Sequence, residues 1–147
     1  MANAEKTARE LYTRWNERAF DRVADLMADS GEIVIVGSDT RFRGPEGAKD
    51  YSQMWADGFP DGRVEVDRTF ESGDSVCVEY TGRGTHTGTL RGPGGDIPAT
   101  GRSVMLHLCD VYEIKNGKIQ SMKMYFDSAS LMTQLGVMPE ARAGATA

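Results

Sequence analysis

The sequence predicts an α+β domain in which helices cover the concave face of a curved antiparallel sheet. Residues 3–57 carry helical apolar spacing interrupted by one short β-branched run. From residue 64 to residue 127 the apolar residues instead alternate with polar ones, as in strands with one buried face. Helices followed by an antiparallel meander are typical of α+β folds, in which the helices pack on one face of the sheet.

The N-terminal part predicts three helices and one strand. Leu11 and Trp15 recur at helical spacing in the first helix, and Pro45 lies near the start of the third, where its missing amide hydrogen costs nothing. The strand is rich in β-branched residues and flanked by glycines, which is typical of a buried strand. The predicted ranges are 3–17, 20–27 and 44–57 for the helices and 32–36 for the strand.

The C-terminal part predicts a meander and a final helix. Asn116-Gly117 is a hairpin signal, Asp127 is placed to cap the final helix, and Gly136 ends it. Residues 91–98 are too rich in glycine and proline for a strand, so we expect a loop that can cover a pocket mouth. The predicted strands are 64–70, 76–86, 103–114 and 119–127, and the helix is 128–135.

The length of 147 residues suits one domain with one core, which we place at residues 1–138. The remaining residues, 139–147, are small and polar and predict a disordered tail. The net charge of −5, with scattered lysines and arginines, argues against nucleic acid and anionic membranes as partners. No stretch is apolar and long enough to span a bilayer.

The cysteines and histidines indicate neither a disulfide framework nor a metal site. Cys77 and Cys109 lie in different predicted strands, and the N-terminus has no apolar segment of signal-peptide type. We therefore expect reduced thiols in a cytoplasmic protein. His86 and His107 are the only histidines, and no Cys/His spacing suggests zinc, so no metal is expected.

Six short segments, in order along the chain, resemble the SnoaL-like polyketide cyclase and ester cyclase family. Each segment is weak alone, and the six in register are fairly specific. The resemblance covers roughly residues 5–138. The segments are FRGPEG (42–47), GFPD (58–61), GTHTG (84–88), PATGR (98–102), NGKI (116–119) and QLG (134–136).

The resemblance implies the cone fold shared with nuclear transport factor two and ketosteroid isomerase, in the cystatin-like superfamily. It also implies a homodimer packed through the outer face of the sheet. Cyclases of this kind close a ring by intramolecular aldol chemistry on an aromatic polyketide ester, without a metal or an organic cofactor. The same fold hosts isomerases, epoxide hydrolases and non-catalytic binders, so the fold alone does not choose the reaction.

The family pattern is expected to place an aspartate on the last strand, pointing into the pocket. Matched from Asn116-Gly117, that position is Met124, and a thioether cannot transfer protons. Met122 and Phe126 share its strand face, so this pocket wall is apolar. One aspartate of the epoxide hydrolases of this fold also maps to Met124, which weakens that interpretation.

Asp110 is the remaining candidate for a general base. It follows Val104, Leu106 and Leu108 on one face of the neighbouring strand, and apolar surroundings raise the pKa of a carboxyl group. The alternative is a structural carboxylate that caps a turn or bonds to a tyrosine.

His86 is the second catalytic candidate, because its parity places it on the same face as Val78 and Tyr80. An imidazole beside Asp110 would act as an acid, a base or an oxyanion donor. The alternative is a core histidine that holds the turn at 84–88. His107 has the opposite parity and belongs to an apolar outer face that suggests a dimer interface, so we do not expect it in catalysis.

Aromatic and sulfur-containing side chains are expected to bind an apolar, including a polycyclic, small molecule. Residues from the helices would stack on it, and tyrosines would offer hydroxyl donors. Plain core packing is the alternative for each of them. The expected ligand-binding residues are Trp15, Tyr51, Trp55, Tyr80, Met122, Met124 and Phe126, with Tyr12 as a further hydroxyl donor.

Three functional hypotheses follow. The first is a cyclase-like or isomerase-like enzyme that uses Asp110 and His86 as acid–base groups on an apolar carbonyl compound. The second is a non-catalytic protein that binds such a compound, which Met124 favours. The third, an epoxide hydrolase, lacks an evident carboxylate pair. The convergence of Asp110 and His86 in one cavity would favour the first hypothesis.

Overall fold

The computed structural model describes residues 3–38, 40–92 and 95–138, and the predicted tail at 139–147 lies outside the described residues. Four helices and eight strands occupy these residues. In chain order they are α1 (Asn3–Asn16), α2 (Phe20–Ala24), β1 (Met27–Ile35), β2 (Arg41–Arg43), α3 (Gly44–Gly58), β3 (Arg63–Ser72), β4 (Ser75–Thr85), β5 (Leu90–Gly92), β6 (Gly95–Ile97), β7 (Ser103–Lys115), β8 (Lys118–Phe126) and α4 (Ser128–Leu135).

Six strands form one sheet in the order β2-β1-β8-β7-β4-β3. The meander β3-β4-β7-β8 is antiparallel, as predicted, while β1 joins it parallel to β8. Helix α1 packs against β3, β4 and β7, and α3 packs against β1 and β2. This α+β arrangement confirms the predicted fold class, with the core between the helices and one face of the sheet.

Strand β7 shows how the sequence builds this core. Its buried residues alternate with more exposed ones along its whole length, so a single strand contributes six side chains to the inner face. Five of the six are apolar or aromatic, and the sixth is a carboxylate. The inner-face residues are Val104, Leu106, Leu108, Asp110, Tyr112 and Ile114.

Two predicted boundaries in the N-terminal part are wrong. Helix α2 ends at Ala24, and Met27 begins β1 rather than ending the helix. Met27 pairs with Ile119 of β8, and the register of β1 shifts before Glu32. The strand is therefore longer than its β-branched centre, because pairing with β8 recruits residues of weak intrinsic β preference.

The prediction of a loop at residues 91–98 is also wrong for its described residues. Strands β5 and β6 form a small hairpin in which Leu90 pairs with Ile97. Gly95 has a φ of 119°, which a residue with a Cβ rarely adopts. Gly92 and Gly95 therefore belong to paired strands rather than to an open loop.

A register shift between Val66 and Arg68 changes the face of the second half of β3. Phe70 pairs with Cys77 and therefore lies on the outer face of the sheet, 53% exposed, and not on the inner face with Val64 and Val66. An extra residue in one strand of an antiparallel pair reverses the alternation beyond it. The period-two pattern alone did not reveal this bulge.

The final helix matches its prediction. The Asp127 carboxylate accepts a hydrogen bond from the Ser130 amide at 3.1 Å, and Gly136 ends the helix with a φ of 73°. Each helix in the described ranges is too short or too polar to cross a bilayer.

Candidate active site

A cavity lies between helices α1 and α3 and the inner face of the sheet. Its walls are mainly aromatic and aliphatic, and Arg63, Arg83 and the β4 glycines Gly82 and Gly84 also line it. The lining residues that the chemistry uses are Tyr12, Trp15, Tyr51, Trp55, Tyr80, Asp110 and Met124. Such a cavity, apolar with a few convergent polar groups, is the usual form of a small-molecule site.

Asp110 is the one carboxylate among the described residues that line this cavity. It is fully buried in the middle of β7, where it pairs with Val78 of β4 and with Met124 of β8. Both neighbouring strands thus surround it with apolar side chains. A carboxylate in such a position must obtain its hydrogen bonds from side chains, because the sheet uses the backbone groups.

Three tyrosine hydroxyls lie within hydrogen-bond distance of the Asp110 carboxylate. Tyr12 donates to Oδ2 at 2.7 Å and Tyr80 donates to Oδ1 at 3.1 Å. Tyr112 lies 3.5 Å from Oδ2 and donates to the Tyr12 hydroxyl at 2.6 Å. Helix α1 and strands β4 and β7 each contribute one tyrosine, so the network joins the helices to the sheet across the core.

Burial raises the pKa of Asp110 from 3.8 to about 7, although the hydrogen bonds from the three tyrosines oppose the rise. The pKa of Tyr12 and that of Tyr80 are raised well above 10, first by burial and then by the charge of Asp110. The tyrosines therefore stay neutral donors near pH 7, while Asp110 exchanges its proton there. This is the range that a general base requires.

Met124 lies where the sequence predicted it, on the inner face beside Asp110. The Tyr51 hydroxyl donates to its Sδ at 3.1 Å. Met122 and Phe126 share the same strand face but do not line the cavity, which corrects the prediction that they contact a ligand. Met122 is fully buried in the core, and Phe126 packs edge-on against Trp55 with ring centroids 5.8 Å apart.

The structure does not bring His86 to Asp110, and this prediction is wrong. Asp110 pairs with Val78, and His86 lies eight residues further along the chain, roughly 26 Å away at the rise of a strand. His86 is fully buried and does not line the cavity. Its Nδ1 accepts from the Thr100 amide at 3.2 Å and lies 2.9 Å from the Thr100 hydroxyl. Burial lowers the pKa of His86, as expected for a structural core histidine.

The predicted tryptophans and tyrosines line the cavity, but their polar atoms have different hydrogen-bond partners. The Trp15 indole N–H donates to the Ser52 carbonyl at 3.3 Å. The Trp55 indole nitrogen is buried without a hydrogen-bond partner. Tyr112 was not predicted from the sequence, although its parity with Asp110 on β7 would have placed both on one face.

The outer face of the sheet carries the remaining sequence candidates. The His107 ring lies 3.4 Å from the Thr81 hydroxyl on that face, away from Asp110. Cys77 and Cys109 are free thiols there, with their sulfurs 3.2 Å apart. Met105 and Tyr125 are 40% and 43% exposed on the same face.

Comparison with known families gives a match to the SnoaL-like polyketide cyclase model over residues 5–135. The chain belongs to this family. No curated protein matches the sequence. The family assignment agrees with the fold, and the cavity with its buried carboxylate lies within the matched residues.

Solved structures share the same fold. A protein assigned as a SnoaL-like polyketide cyclase from Jannaschia sp. CCS1 has a TM-score of 0.82 at 20% identity, covering 94% of each chain. IdmH from Streptomyces antibioticus, assigned as a polyketide cyclase, has a TM-score of 0.74 at 26% identity, covering 91% of this chain and 99% of its own. A Catenulispora acidiphila protein with a ketosteroid isomerase-like fold has a TM-score of 0.75 at 15% identity, covering 90% and 93%.

Proposed function

We propose that this protein is a cyclase-type or isomerase-type enzyme that acts by acid–base chemistry on an apolar carbonyl compound. The observation that carries the proposal is the position of Asp110, a buried carboxylate with a pKa of about 7 that lines a cavity with mainly apolar walls. Membership of the SnoaL-like family and the similarity to IdmH support ring closure as the reaction. His86 has no part in it.

The proposed reaction begins when the Asp110 carboxylate accepts a proton from a carbon next to a carbonyl group. The C–H electron pair becomes the enolate π bond, and the carbonyl oxygen takes the negative charge. In a cyclase, the enolate carbon then attacks a second carbonyl of the same molecule, and the resulting alkoxide takes the proton back from Asp110. In an isomerase, the proton returns to another carbon. Either sequence conserves all atoms and electrons.

Tyr12 and Tyr80 position the base. Their hydroxyls donate to different oxygens of Asp110, so the carboxylate is held in one orientation. Asp110 is itself fully buried, so a proton that it takes is shielded from solvent while the ring closes. The apolar walls favour a ligand of matching character.

The test compares the wild-type protein with Asp110→Asn on a panel of aromatic poly-ketone esters, with products analysed by mass spectrometry. We expect Asp110→Asn to abolish turnover, because an amide cannot accept the proton, while the ligand affinity stays within a few-fold. Asp74→Asn makes the same atom exchange at an exposed turn that does not line the cavity and should retain full turnover. Turnover that survives in Asp110→Asn would refute the assignment of the base.

A non-catalytic binding protein is the second candidate, and Met124 favours it. A thioether occupies the inward position where the family pattern is expected to carry an aspartate, and both oxygens of Asp110 already accept hydrogen bonds. In the same experiment, a ligand that stabilises the protein and is recovered unchanged would support this candidate. The epoxide hydrolase hypothesis has less support, because Asp110 has no second carboxylate beside it among the described lining residues.

A further inference from the structure

Two hydrogen-bond donors in the cavity lack an adequate acceptor within the described part of the chain. The Trp55 indole N–H is buried and makes no hydrogen bond of good geometry, and it lies close to the Tyr51 hydroxyl. The Tyr51 hydroxyl, on a side chain that is 5% exposed, donates to the Met124 sulfur. A thioether is a weak acceptor, so Tyr51 keeps much of its donor capacity.

Unsatisfied buried donors are rare in native proteins, since each loses its water without a replacement. The two donors here belong to one site. Tyr51 and Trp55 are four residues apart on α3, so they project from the same side of the helix, and both line the cavity. Two donors that share a helix face and a cavity can reach a single acceptor atom.

Aromatic packing holds both donors in place. The Trp55 ring stacks on Phe59 at a centroid distance of 6.3 Å and meets Phe126 edge-on. The Tyr51 ring meets Phe42 edge-on at 5.5 Å. Donors fixed in this way lose little freedom when a ligand binds, which is the requirement for stabilising a developing negative charge.

The donors also lie beside the base. Tyr51 contacts Met124, and Met124 pairs with Asp110 across β7 and β8. The carboxylate and the Tyr51 hydroxyl therefore bound the same part of the cavity, and the Trp55 indole lies next to Tyr51. By contrast, the Tyr12 and Tyr80 hydroxyls are already committed to Asp110 and are poorly placed to serve a ligand.

We propose that the Tyr51 hydroxyl and the Trp55 indole N–H together bind one carbonyl oxygen of the ligand. The ligand class is an apolar compound with a ketone or ester carbonyl whose neighbouring C–H faces Asp110. The assignment as an oxyanion site rests on the proposed function. When Asp110 removes the proton, the charge develops on the oxygen that these two groups hold. The Tyr51 hydroxyl exchanges the sulfur of Met124 for that oxygen.

The test uses two probes of nearly the same shape, 2-acetylnaphthalene and 2-isopropylnaphthalene, of which only the first has a carbonyl. Dissociation constants are measured by equilibrium dialysis on the full chain. We expect the wild-type protein to prefer the ketone by about tenfold, as one or two buried hydrogen bonds would give. The double variant Tyr51→Phe/Trp55→Phe should lower this preference to about onefold. Any loss of aromatic packing affects both probes and cancels in the ratio.

Tyr51→Phe alone keeps the test usable if the double variant does not fold, and it should lower the preference by about threefold. The carbonyl stretch of bound 2-acetylnaphthalene gives a second readout. Its frequency should fall on binding to the wild-type protein and rise again in Tyr51→Phe. A wild-type protein that binds the probes equally, or binds neither, overturns the proposal, as does a preference that survives in the variants.

This outcome is separable from that of the proposed function. Asp110→Asn should keep the ketone preference, because the two donors are unchanged. If the preference depends on Tyr51 and Trp55 but no compound is ever converted, the carbonyl site stands and the enzymatic proposal fails. If Asp110 is essential for turnover but the ketone preference does not depend on Tyr51 and Trp55, the enzymatic proposal stands and the carbonyl site fails.

Discussion

The replacement of Asp110 by asparagine tests the central electrostatic feature of the site without knowledge of the substrate. Folding raises the pKa of Asp110 from 3.8 to about 7. Between these values the folded protein holds a proton that the unfolded chain has released. The contribution of Asp110 to the free energy of unfolding is therefore fully present below pH 4 and is lost as the pH rises through 7.

The size of the effect follows from the two pKa values. Between pH 5 and pH 8, the linkage relation gives a loss of about 3 kcal/mol in the free energy of unfolding from this residue alone. In Asp110→Asn the side chain does not titrate, so this loss should disappear. Other groups titrate equally in both proteins and cancel when the two pH dependences are subtracted.

The assay is urea unfolding of both proteins at pH 5, 6, 7 and 8, followed by circular dichroism, with the slope m required to stay constant. The wild-type protein should lose about 3 kcal/mol more free energy of unfolding than Asp110→Asn between pH 5 and pH 8. Asp74→Asn, at an exposed turn, should follow the wild type. Parallel curves for Asp110→Asn and the wild type would mean that Asp110 ionises normally, and the argument for a general base would fail.

Three further predictions concern the network, the final helix and the outer face. Tyr112→Phe removes the hydroxyl that donates to Tyr12 and lies 3.5 Å from Asp110. The pH midpoint of kcat/KM should therefore rise by about one unit, while the plateau at high pH is kept. An unchanged midpoint would contradict the role of this hydrogen-bond network. Asp127→Ala removes a helix cap and should cost about 1 kcal/mol in urea unfolding, whereas Asp127→Asn should cost less; equal losses would contradict the capping role. The outer face of the sheet is proposed to form a homodimer, so light scattering should give twice the mass of one chain. Met105→Glu should reduce the measured mass to that of one chain. A monomeric wild-type protein would refute the interface.

Local signals in the sequence located several features correctly. Asp127 and Gly136 bound the final helix because a cap and a left-handed terminus are properties of single residues. The hairpin at Asn116-Gly117 kept the pairing of β7 with β8 local, and Met124 was found beside the position of Asp110.

Such local signals do not determine the register in which β4 pairs with β7. Parity correctly placed Asp110 and His86 on buried positions, but parity does not give distance along a strand. The connection between these strands is long and includes the hairpin β5-β6, so no short turn fixes their register. The register placed Val78, rather than His86, opposite Asp110.

The sequence by itself determined the α+β class and the inward carboxylate, because alternation, caps and tight turns act over a few residues. The resemblance to the family implied the missing aspartate at Met124. Tertiary structure decided which polar atoms meet. Pairing of β4 with β7 brings Tyr80 to Asp110 and its strand neighbour Tyr112, and Tyr12 joins them only when α1 packs on the sheet. The same packing left the Trp55 N–H without a partner. Long-range packing, and not local preference, therefore gave the cavity its chemistry.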